Sequence, residues 1–549
     1  MEYLILGSII IILIFLVIYL STKGKSKKEI EQIRSAWGNP KTNSFHFVDI
    51  GRYAEEVKEE FHRLTDQTIE DIDFRQLFIF IDRTTSKVGQ QFLFKKTIEP
   101  TNHAEHQSEN LIQLFAHNKE VREGIQLELL KLSDYDAYYI PSLLRDSSLE
   151  KPKWFGLLTL DVIIVSCLLI LSFKFPGVLI ILLFPIILNM FLHIYNKSNT
   201  FQFTRSVPQL NLLINVSEEF LKKGGLLHDK SVDESISNLK SFQRSARLVR
   251  FNHGQFQIDL SQFLYEVVKV FFLIEVFMVF KIVKELKNKR SSIITLFNYV
   301  GNIDASISVA SLRSGKLKTC QPVLTVVKKE VVVKNLYHPL IADCVKNSLT
   351  ISDRSILITG SNMSGKSTFL RTLAINSILA QTIYTCFADE FSSPILKQFS
   401  SIRIDDNLFE GKSYYFQEVS IMASLIAEVN LPHQNLFLLD EVFKGTNTIE
   451  RIAAAKAILS YLNRNDNIVV VSTHDIELAD MLEGEYALYH FTETVENSKL
   501  HFDHLIKPGQ IRTRNAIKIL ELANYPAEVI SEAREISTTL RTARIAGKE

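Results

Sequence analysis

The chain has 549 residues, and 62 Lys and Arg stand against 61 Asp and Glu, which gives a formal net charge of +1. With 46% hydrophobic and 22% charged residues, it is neither a disordered chain nor a protein buried in a membrane throughout. The balanced charge excludes nucleic-acid binding by bulk attraction, so any such site must be local. Four cysteines without a CxxC pair argue against a disulfide framework or zinc site and favour reduced thiols facing the cytosol.

The first apolar segment covers residues 3–20 and carries no charged side chain. It is long enough to cross a hydrocarbon core of about 30 Å. Lysines follow it at once, and no small-residue cleavage site is present. The pattern predicts a retained transmembrane anchor at 1–22, with the chain after it in the cytoplasm.

A second apolar block, 151–197, divides near Lys174, Pro176 and Gly177 into two halves. Each half is long enough to span a bilayer. We predict a transmembrane helical hairpin with both ends cytoplasmic, Lys174 at the outer turn and a packing role for Asp161. The alternative is a buried soluble hairpin, although these stretches lack the polar stripe of a soluble helix. The chain is thus expected to be a multi-pass protein of the plasma or inner membrane.

The remaining segments are predicted to be soluble. Residues 23–150 and 198–316 have helical periodicity and form the two parts of an all-α region. Residues 263–283 are apolar but contain charged side chains, which favours a buried helix; an interfacial helix is the alternative. From 317 to 549 strand and helix patterns alternate, and the piece from 516 is helical, so this part is predicted to be an α/β domain facing the cytoplasm.

A glycine-rich turn connects an apolar strand, 355–359, to a helix. Its sequence from Gly360 to Ser367 is G-x4-G-K-S, and such turns direct backbone N–H groups at a phosphate chain. Lys366 should reach the β- and γ-phosphates, and Ser367 should bind Mg²⁺. The alternative is an unrelated glycine turn. The predicted nucleotide-binding residues are Gly360, Ser361, Asn362, Met363, Ser364, Gly365, Lys366, Ser367 and Thr368.

Two later apolar strands end in polar residues. Asp440 and Glu441 follow the strand at 435–439, and His474 follows the strand at 467–472. Asp440 is predicted to hold Mg²⁺, Glu441 to polarise the attacking water, and His474 to contact the γ-phosphate or its water. The alternatives are an ordinary helix N-terminus and a structural histidine. Ligands of open parallel sheets bind at the carboxyl ends of strands, where all these residues fall.

The segments TGSNMSGKSTFLRTLA, LLDEVFKGTNT, FEGKSYYFQEV and LIKPGQIRTRNAIKILELANYPAEVISEAREI together resemble the MutS family of DNA mismatch-repair ATPases. LYHPL at 336–340 and FIDRTTSKVGQQFLFKKTIEPT at 80–101 are similar to the opening of that family's ATPase domain and to the start of its helical core. The resemblance extends from about 75 to 540. It implies a P-loop NTPase domain of the MutS type, related to ABC ATPases, that follows an all-α core and lever region.

The resemblance also implies ATP and Mg²⁺ as cofactors and a homodimer, with dimerisation helices at the carboxyl-terminal end of the 317–549 domain. In the family, the loop that corresponds to Gly411-Lys412-Ser413 is offered to the nucleotide of the partner, so Ser413 would act in trans. The catalytic residues are then Lys366, Glu441, His474 and Ser413, and the metal ligands are Ser367 and Asp440.

Several features depart from the family. The family's mismatch reader carries a Phe-x-Glu wedge, and residues 1–150 contain none. Its long clamp insertion is not recognisable. Ser364 stands where the family usually has glycine, and the aromatic residue expected near Cys344 and Val345 is not evident. DNA is a possible ligand of such a chain, but these departures argue against direct mismatch reading.

We predict that two basic clusters, at 284–290 and at Arg512 and Arg514, lie on solvent-exposed surface. The alternative is that they contact DNA. The first functional hypothesis is a membrane-anchored MutS-like ATPase that moves its lever region on DNA. The second is a membrane-mechanical or signalling ATPase that binds no nucleic acid. The third is a nucleotide-gated scaffold without turnover.

Overall fold

The structure is a computed structural model. It describes residues 27–58, 61–102, 106–145, 155–199, 201–248, 267–268, 270–326, 329–361, 363–403, 414–443, 445–496, 499–510, 517, 520–521 and 525–546. The anchor predicted at 1–22 lies outside these residues. The chain divides into two compact units. The first comprises 1–58, 81–96 and 105–315, and the second comprises 59–80, 97–104 and 316–549. The second unit thus includes two short segments that the sequence pattern places in the helical region.

The first unit is helical in its described residues. Its main helices are α1 (Phe47–Glu56), α4 (Lys87–Ile98, which extends into the second unit), α5 (His106–His117), α6 (Lys119–Leu129), α7 (Phe155–Ser172), α8 (Val178–Asn199), α9 (Phe201–Lys223), α10 (Lys230–Leu248), α11 (Ile274–Lys287) and α12 (Arg290–Arg313). Two short 3₁₀ helices, Leu130–Leu132 and Tyr135–Leu144, follow α6. The second unit begins with α2 (Asp66–Asp71) and α3 (Phe74–Ile81).

Helix α12 forms the core of the first unit, and 72% of its most apolar stretch is buried. Its Asp304 is fully buried and accepts hydrogen bonds from Thr85 N (2.8 Å), Ser86 N (2.7 Å) and Ser86 Oγ (2.6 Å). The carboxylate therefore satisfies the backbone N–H groups of the two residues that precede α4. A Cβ atom on Gly89 would lie 2.1 Å from Asp304 Oδ2, so this close approach requires glycine. Burial raises the pKa of Asp304 to about 6.

Helices α7 and α8 form the predicted hairpin, and Lys174 lies in the turn between them. By length and composition, α7 and α12 are the described helices that could cross a membrane. Only 11% of α7 is buried, whereas α12 is mostly buried, as in a soluble core. The apolar part of α8, Val178–Leu192, is shorter. Membrane insertion of the hairpin stays a prediction.

The apolar stretch at 263–283 does not form one continuous helix. Leu273 has φ 47°, in the left-handed region, and α11 begins at the next residue. Phe277 and Phe280 of α11 pack edge-on against Phe155 of α7, with ring centroids 5.2 and 5.0 Å apart. Asn189 of α8 donates to the carbonyl of Phe271 at 3.0 Å. The second half of this stretch therefore packs against both helices of the hairpin. Residues 263–266 and 269 lie outside the described part.

The second unit is built on a six-stranded sheet in the order β12-β9-β4-β8-β7-β6. All neighbours are parallel except β12 and β9. The strands are β4 (Ser355–Thr359), β6 (Lys397–Ser401), β7 (Asn435–Asp440), β8 (Ile468–Thr473), β9 (Tyr486–His490) and β12 (Lys507–Pro508). The central strands are buried along nearly their whole length, which explains their unbroken apolar sequences.

Further strands and helices complete the second unit. A mixed sheet has the order β1-β5-β2-β3, and β10 pairs with β11. The strands are β1 (Val323–Thr325), β2 (Glu330–Leu336), β3 (Asn347–Ser352), β5 (Glu390–Pro394), β10 (Glu493–Glu496) and β11 (Lys499–Phe502). The helices are α13 (Lys366–Thr382), α14 (Tyr414–Glu428), α15 (Thr448–Leu462), α16 (Ile476–Leu482) and α17 (Ala527–Ala546).

The segment at 61–73 covers strand β6, which is an edge of the six-stranded sheet. The ring of His62 lies against the main chain of Gln398, with Nε2 3.1 Å from its N and 3.0 Å from its O. Asp71 accepts hydrogen bonds from Ser400 Oγ (2.6 Å) and Arg403 N (2.7 Å). These contacts satisfy backbone groups that an edge strand would otherwise expose.

Candidate nucleotide site

The glycine-rich turn follows β4 and leads directly into α13. Gly360 has φ 153° and Gly365 has φ 116°. Residues other than glycine rarely adopt these backbone conformations. A Cβ atom on Gly360 would also lie 2.9 Å from the carbonyl oxygen of Phe491. The turn therefore needs glycine at both positions, and α13 begins at Lys366 with its free N–H groups at this turn.

Lys366 folds back over the turn that precedes it. Its Nζ donates to the carbonyl oxygens of Gly360 (2.7 Å) and Ser361 (2.8 Å) and lies 3.4 Å from Nε2 of His474. The residue is 4% exposed. The ammonium group is thus held at the centre of the glycine-rich turn, where it can interact with an anion.

Ser364, which stands where the related family usually has glycine, is accommodated by a local contact. Its Oγ donates to Ser361 O at 2.8 Å, and its carbonyl oxygen is 3.0 Å from His504 Nδ1. Ser361 Oγ in turn donates to Glu493 at 2.6 Å. Among the predicted nucleotide-binding residues, Met363 is 82% exposed, and Asn362 lies outside the described residues.

The predicted metal ligands, Ser367 and Asp440, are in direct contact. Ser367 Oγ donates to Asp440 Oδ2 at 2.5 Å. The second carboxylate oxygen accepts from the hydroxyl of Ser472. Asp440 and Ser472 are neighbours in the parallel register of β7 and β8, so the two strands hold the carboxylate beside the first turn of α13. A carboxylate and a hydroxyl oxygen are ligands that Mg²⁺ prefers.

Glu441 and His474 follow β7 and β8 and meet at the same edge of the sheet. Nε2 of His474 is 2.5 Å from Oε1 of Glu441. Glu441 has φ 56°, an uncommon conformation for a residue other than glycine that is found at functional sites. Its N–H donates to Ser472 O at 3.0 Å. The adjacent Asp475 accepts hydrogen bonds from two guanidinium nitrogens of Arg451, Nε and Nη2.

A cavity of about 540 Å³ opens beside the glycine-rich turn. Its wall includes the polar side chains of Lys366, Ser367, Asp440 and Glu441. The rest of its wall includes Leu336, Ile341, Cys344, Val345, Thr368, Phe369 and His504. At Cys344 and Val345, where an aromatic side chain was expected from the family, the wall is a thiol and an aliphatic group.

The structure thus brings together Lys366, Ser367, Asp440, Glu441 and His474 as the sequence predicts, and their chemical roles stay predictions. Ser413 lies outside the described residues. Sequence reasoning missed Ser472, Glu493 and His504. Ser472 could have been found, because it immediately precedes the Thr473-His474 pair on a strand expected beside β7. Glu493 and His504 follow the last central strand in segments that carry no local motif.

Comparison with known proteins identifies the same part of the chain. Residues 356–541 match the family MutS domain V. The chain is 36% identical over 218 residues to the DNA mismatch repair protein MutS of Lactobacillus delbrueckii subsp. bulgaricus, covering 38% of this chain and 25% of the relative. It is 32% identical over 261 residues to the protein of the same name from Bacillus cereus, covering 45% of this chain and 28% of the relative.

The similarity to the MutS protein of Halothermothrix orenii is 32% identity over 217 residues, covering 37% of this chain and 24% of the relative. The matched region therefore spans about a quarter of the length of these curated relatives. It contains the glycine-rich turn, both acidic residues and His474. Residues 356–541 are therefore similar to domain V of the MutS family.

Proposed function

We propose that the second unit binds and hydrolyses ATP with Mg²⁺. The observation that carries this proposal is the convergence of Lys366, the Ser367–Asp440 pair and the Glu441–His474 pair at the carboxyl edge of one parallel sheet. Such an edge, next to a glycine-rich turn and a helix N-terminus, is suited to a polyphosphate. The match to MutS domain V supports the same chemistry.

The position of each residue in the site suggests its role. Lys366, now bound to carbonyl oxygens of its own turn, would transfer its hydrogen bonds to phosphate oxygens. Ser367 and Asp440 are oxygen donors that fit Mg²⁺, which when bound supplies positive charge to the phosphates. Glu441 would orient and polarise the attacking water, and His474 would hold the Glu441 side chain.

We further propose that the active form is a homodimer. A glycine-rich turn alone leaves the terminal phosphate partly solvated, and donors from a second copy would complete the site. Ser413 of a second copy is the residue proposed for this role, on the family resemblance. Helix α17 has exposed Val529 and Ile536, which suits the proposed dimerisation of the carboxyl-terminal helices.

The hairpin is proposed to lie in a membrane, with the ATPase domain in the cytoplasm. The support is its surface: large apolar side chains are exposed along α7 and α8, at 71% for Ile170, 74% for Ile180 and 77% for Phe184. Exposed apolar surface on this scale is typical of contact with lipid or a partner. ATP-driven closure would then move the helical region to which the hairpin belongs.

Two ligands are candidates for this motion. DNA held near the membrane is favoured by the similarity to proteins named for DNA mismatch repair. A membrane component, with no nucleic acid involved, is favoured by the exposed hairpin and the near-neutral charge. A gel shift with the detergent-solubilised protein distinguishes them. Binding that weakens steeply with salt supports DNA, and no shift at low salt supports the second candidate.

The ATPase proposal is tested with the substitution Lys366→Ala. Equilibrium binding of labelled ATP should weaken by about 100-fold, because a charged hydrogen-bond donor to phosphate contributes about 1.5–3 kcal/mol. Lys334→Ala is the control, since Lys334 is an exposed partner of Glu390. Unchanged ATP affinity in Lys366→Ala would refute the assignment of the glycine-rich turn.

A further inference from the structure

Two of the four cysteines face each other in the second unit. Cys320 N donates to Cys386 O and Cys386 N donates to Cys320 O, both at 2.9 Å, in an isolated antiparallel bridge. Residues paired in this way place their side chains on the same side, with Cα atoms about 5.5 Å apart. Disulfides most often span about 5.5–6 Å between Cα atoms. The backbone is therefore already arranged for a bond between these sulfurs.

The two thiols differ in access and acidity. Cys320 is partly exposed and Cys386 is buried. The Cys386 thiol donates to the carbonyl of Asn376 at 3.4 Å and is also a hydrogen-bond partner of Cys320. The hydrogen bond with Cys386 is the main reason why the pKa of Cys320 is lowered, although burial and the nearby Asp389 oppose this shift. A reactive thiol that can be reached by solvent, beside a second thiol, is the usual arrangement of redox-sensitive cysteines.

We propose that Cys320 and Cys386 form a peroxide-reactive pair that closes reversibly to a disulfide. The Cys320 thiolate attacks one oxygen of hydrogen peroxide, the O–O bond breaks, and the departing hydroxide takes a proton to form water. The Cys386 sulfur then attacks the sulfenic acid of Cys320, and its S–O bond breaks to release a second water. Two thiols and one peroxide give one disulfide and two waters, so the thiols lose the two electrons that the peroxide gains.

The position of the pair gives the disulfide a structural consequence. Cys320 lies shortly after the start of the carboxyl-terminal part of the second unit at residue 316. Cys386 follows α13, the helix that begins at Lys366. Asn376 of α13 accepts from Phe387 N at 2.6 Å, so the segment that contains Cys386 is already bound to this helix. The disulfide would add a covalent link between that segment and the chain at 320. Formation of this disulfide does not require a bound nucleotide.

The test uses the reduced full-length protein, treated with hydrogen peroxide and then alkylated without reduction. Trypsin cleaves after Lys318, Lys328, Arg371 and Lys397. Cys320 is therefore released in peptide 319–328 and Cys386 in peptide 372–397. The expected result is a covalent pair of these two peptides that a dithiol reductant separates. Cys320→Ser and Cys386→Ser should each abolish it, and Cys167→Ser should retain it. Oxidation should also raise the urea midpoint of the wild-type protein but not that of Cys320→Ser.

Three results would overturn the proposal. The first is that both thiols remain open to alkylation after peroxide treatment of the folded protein. The second is that Cys320 is oxidised to sulfinic acid while Cys386 stays free. The third is that either cysteine is found linked to Cys344, to Cys167 or to a second chain. Because the wild-type protein is read directly by mass spectrometry, none of these results depends on whether a variant folds.

Discussion

The imidazole of His474 is in contact with the carboxylate of Glu441, with Nε2 2.5 Å from Oε1. The two residues directly follow neighbouring strands, β7 and β8, and Nζ of Lys366 lies 3.4 Å from the same imidazole nitrogen. The group proposed to polarise water is therefore oriented by a second side chain, which itself adjoins the lysine of the glycine-rich turn. This chain of contacts connects the phosphate end of the cavity to the proposed general base.

Glu441→Gln should leave ATP binding intact and slow hydrolysis by at least about 100-fold, the usual size of a general-base contribution. The amide retains the shape of the carboxylate but cannot accept a proton from water. Single-turnover phosphate release and equilibrium ATP binding measure the two effects separately. Glu477→Gln in α16 controls for the loss of one negative charge. Unchanged phosphate release in Glu441→Gln would favour the nucleotide-gated scaffold without turnover.

Asp440→Asn should raise the Mg²⁺ concentration that gives half-maximal hydrolysis by about tenfold or more. The substitution removes the negative charge that Ser367 and Ser472 hold in place. The measurement is a Mg²⁺ titration of the steady-state rate at saturating ATP. Asp480→Asn serves as the matched control, because Asp480 is exposed and binds Gln510. The same Mg²⁺ midpoint in Asp440→Asn and in the wild type would exclude Asp440 as the ligand.

Ser413→Ala should slow hydrolysis while sparing nucleotide binding to a single subunit. If Ser413 acts in trans, mixing Ser413→Ala protein with Lys366→Ala protein restores one complete site per heterodimer. Hydrolysis in the mixture should then exceed that of either variant alone, as measured after subunit exchange. A mixture no more active than the sum of its parts would contradict the trans role, and so would equal loss of binding and hydrolysis in Ser413→Ala.

Acidification should loosen the segment that covers β6. Burial lowers the pKa of His62 from 6.5 to about 4, so the folded protein keeps this ring neutral. Between these values the unfolded chain binds a proton that the folded chain does not, and the free energy of unfolding falls as the pH falls. From pH 7 to pH 5 the loss is about 2 kcal/mol.

Hydrogen exchange of the β6 amides at both pH values measures this effect. His62→Gln cannot titrate, so its exchange, corrected for the intrinsic pH dependence, should change less than that of the wild type. An equal change in the two proteins would assign the pH dependence to other groups.

The hairpin prediction is tested by cysteine labelling at its turn. Lys174 is exposed between α7 and α8, and Cys167→Ser removes the native thiol of the hairpin. In that background, Lys174→Cys should react with a membrane-impermeant maleimide on intact cells. Lys240→Cys, in α10, should react only after lysis. Labelling of Lys174→Cys only after lysis would refute the predicted orientation.

Structural features that depend on consecutive residues could be predicted from the sequence. The glycine turn before Lys366 and the unbroken apolar run of β8 each carry their structure in consecutive residues, and so do the two halves of the hairpin. The left-handed Leu273 did not stand out, because a leucine within an apolar run gives no sign of a turn. Glu493 and His504 reach the glycine-rich turn only through tertiary contacts, so spacing along the chain could not have placed them there.

The covered edge of the sheet has a practical consequence. A fragment starting at residue 317 would lose His62 and Asp71, and with them the groups that occupy the outer side of β6. An exposed edge strand can pair with strands of other molecules. Such a fragment should therefore precipitate even if every residue around the glycine-rich turn were kept. A soluble preparation of the second unit should therefore require the upstream segment at 61–73 as well.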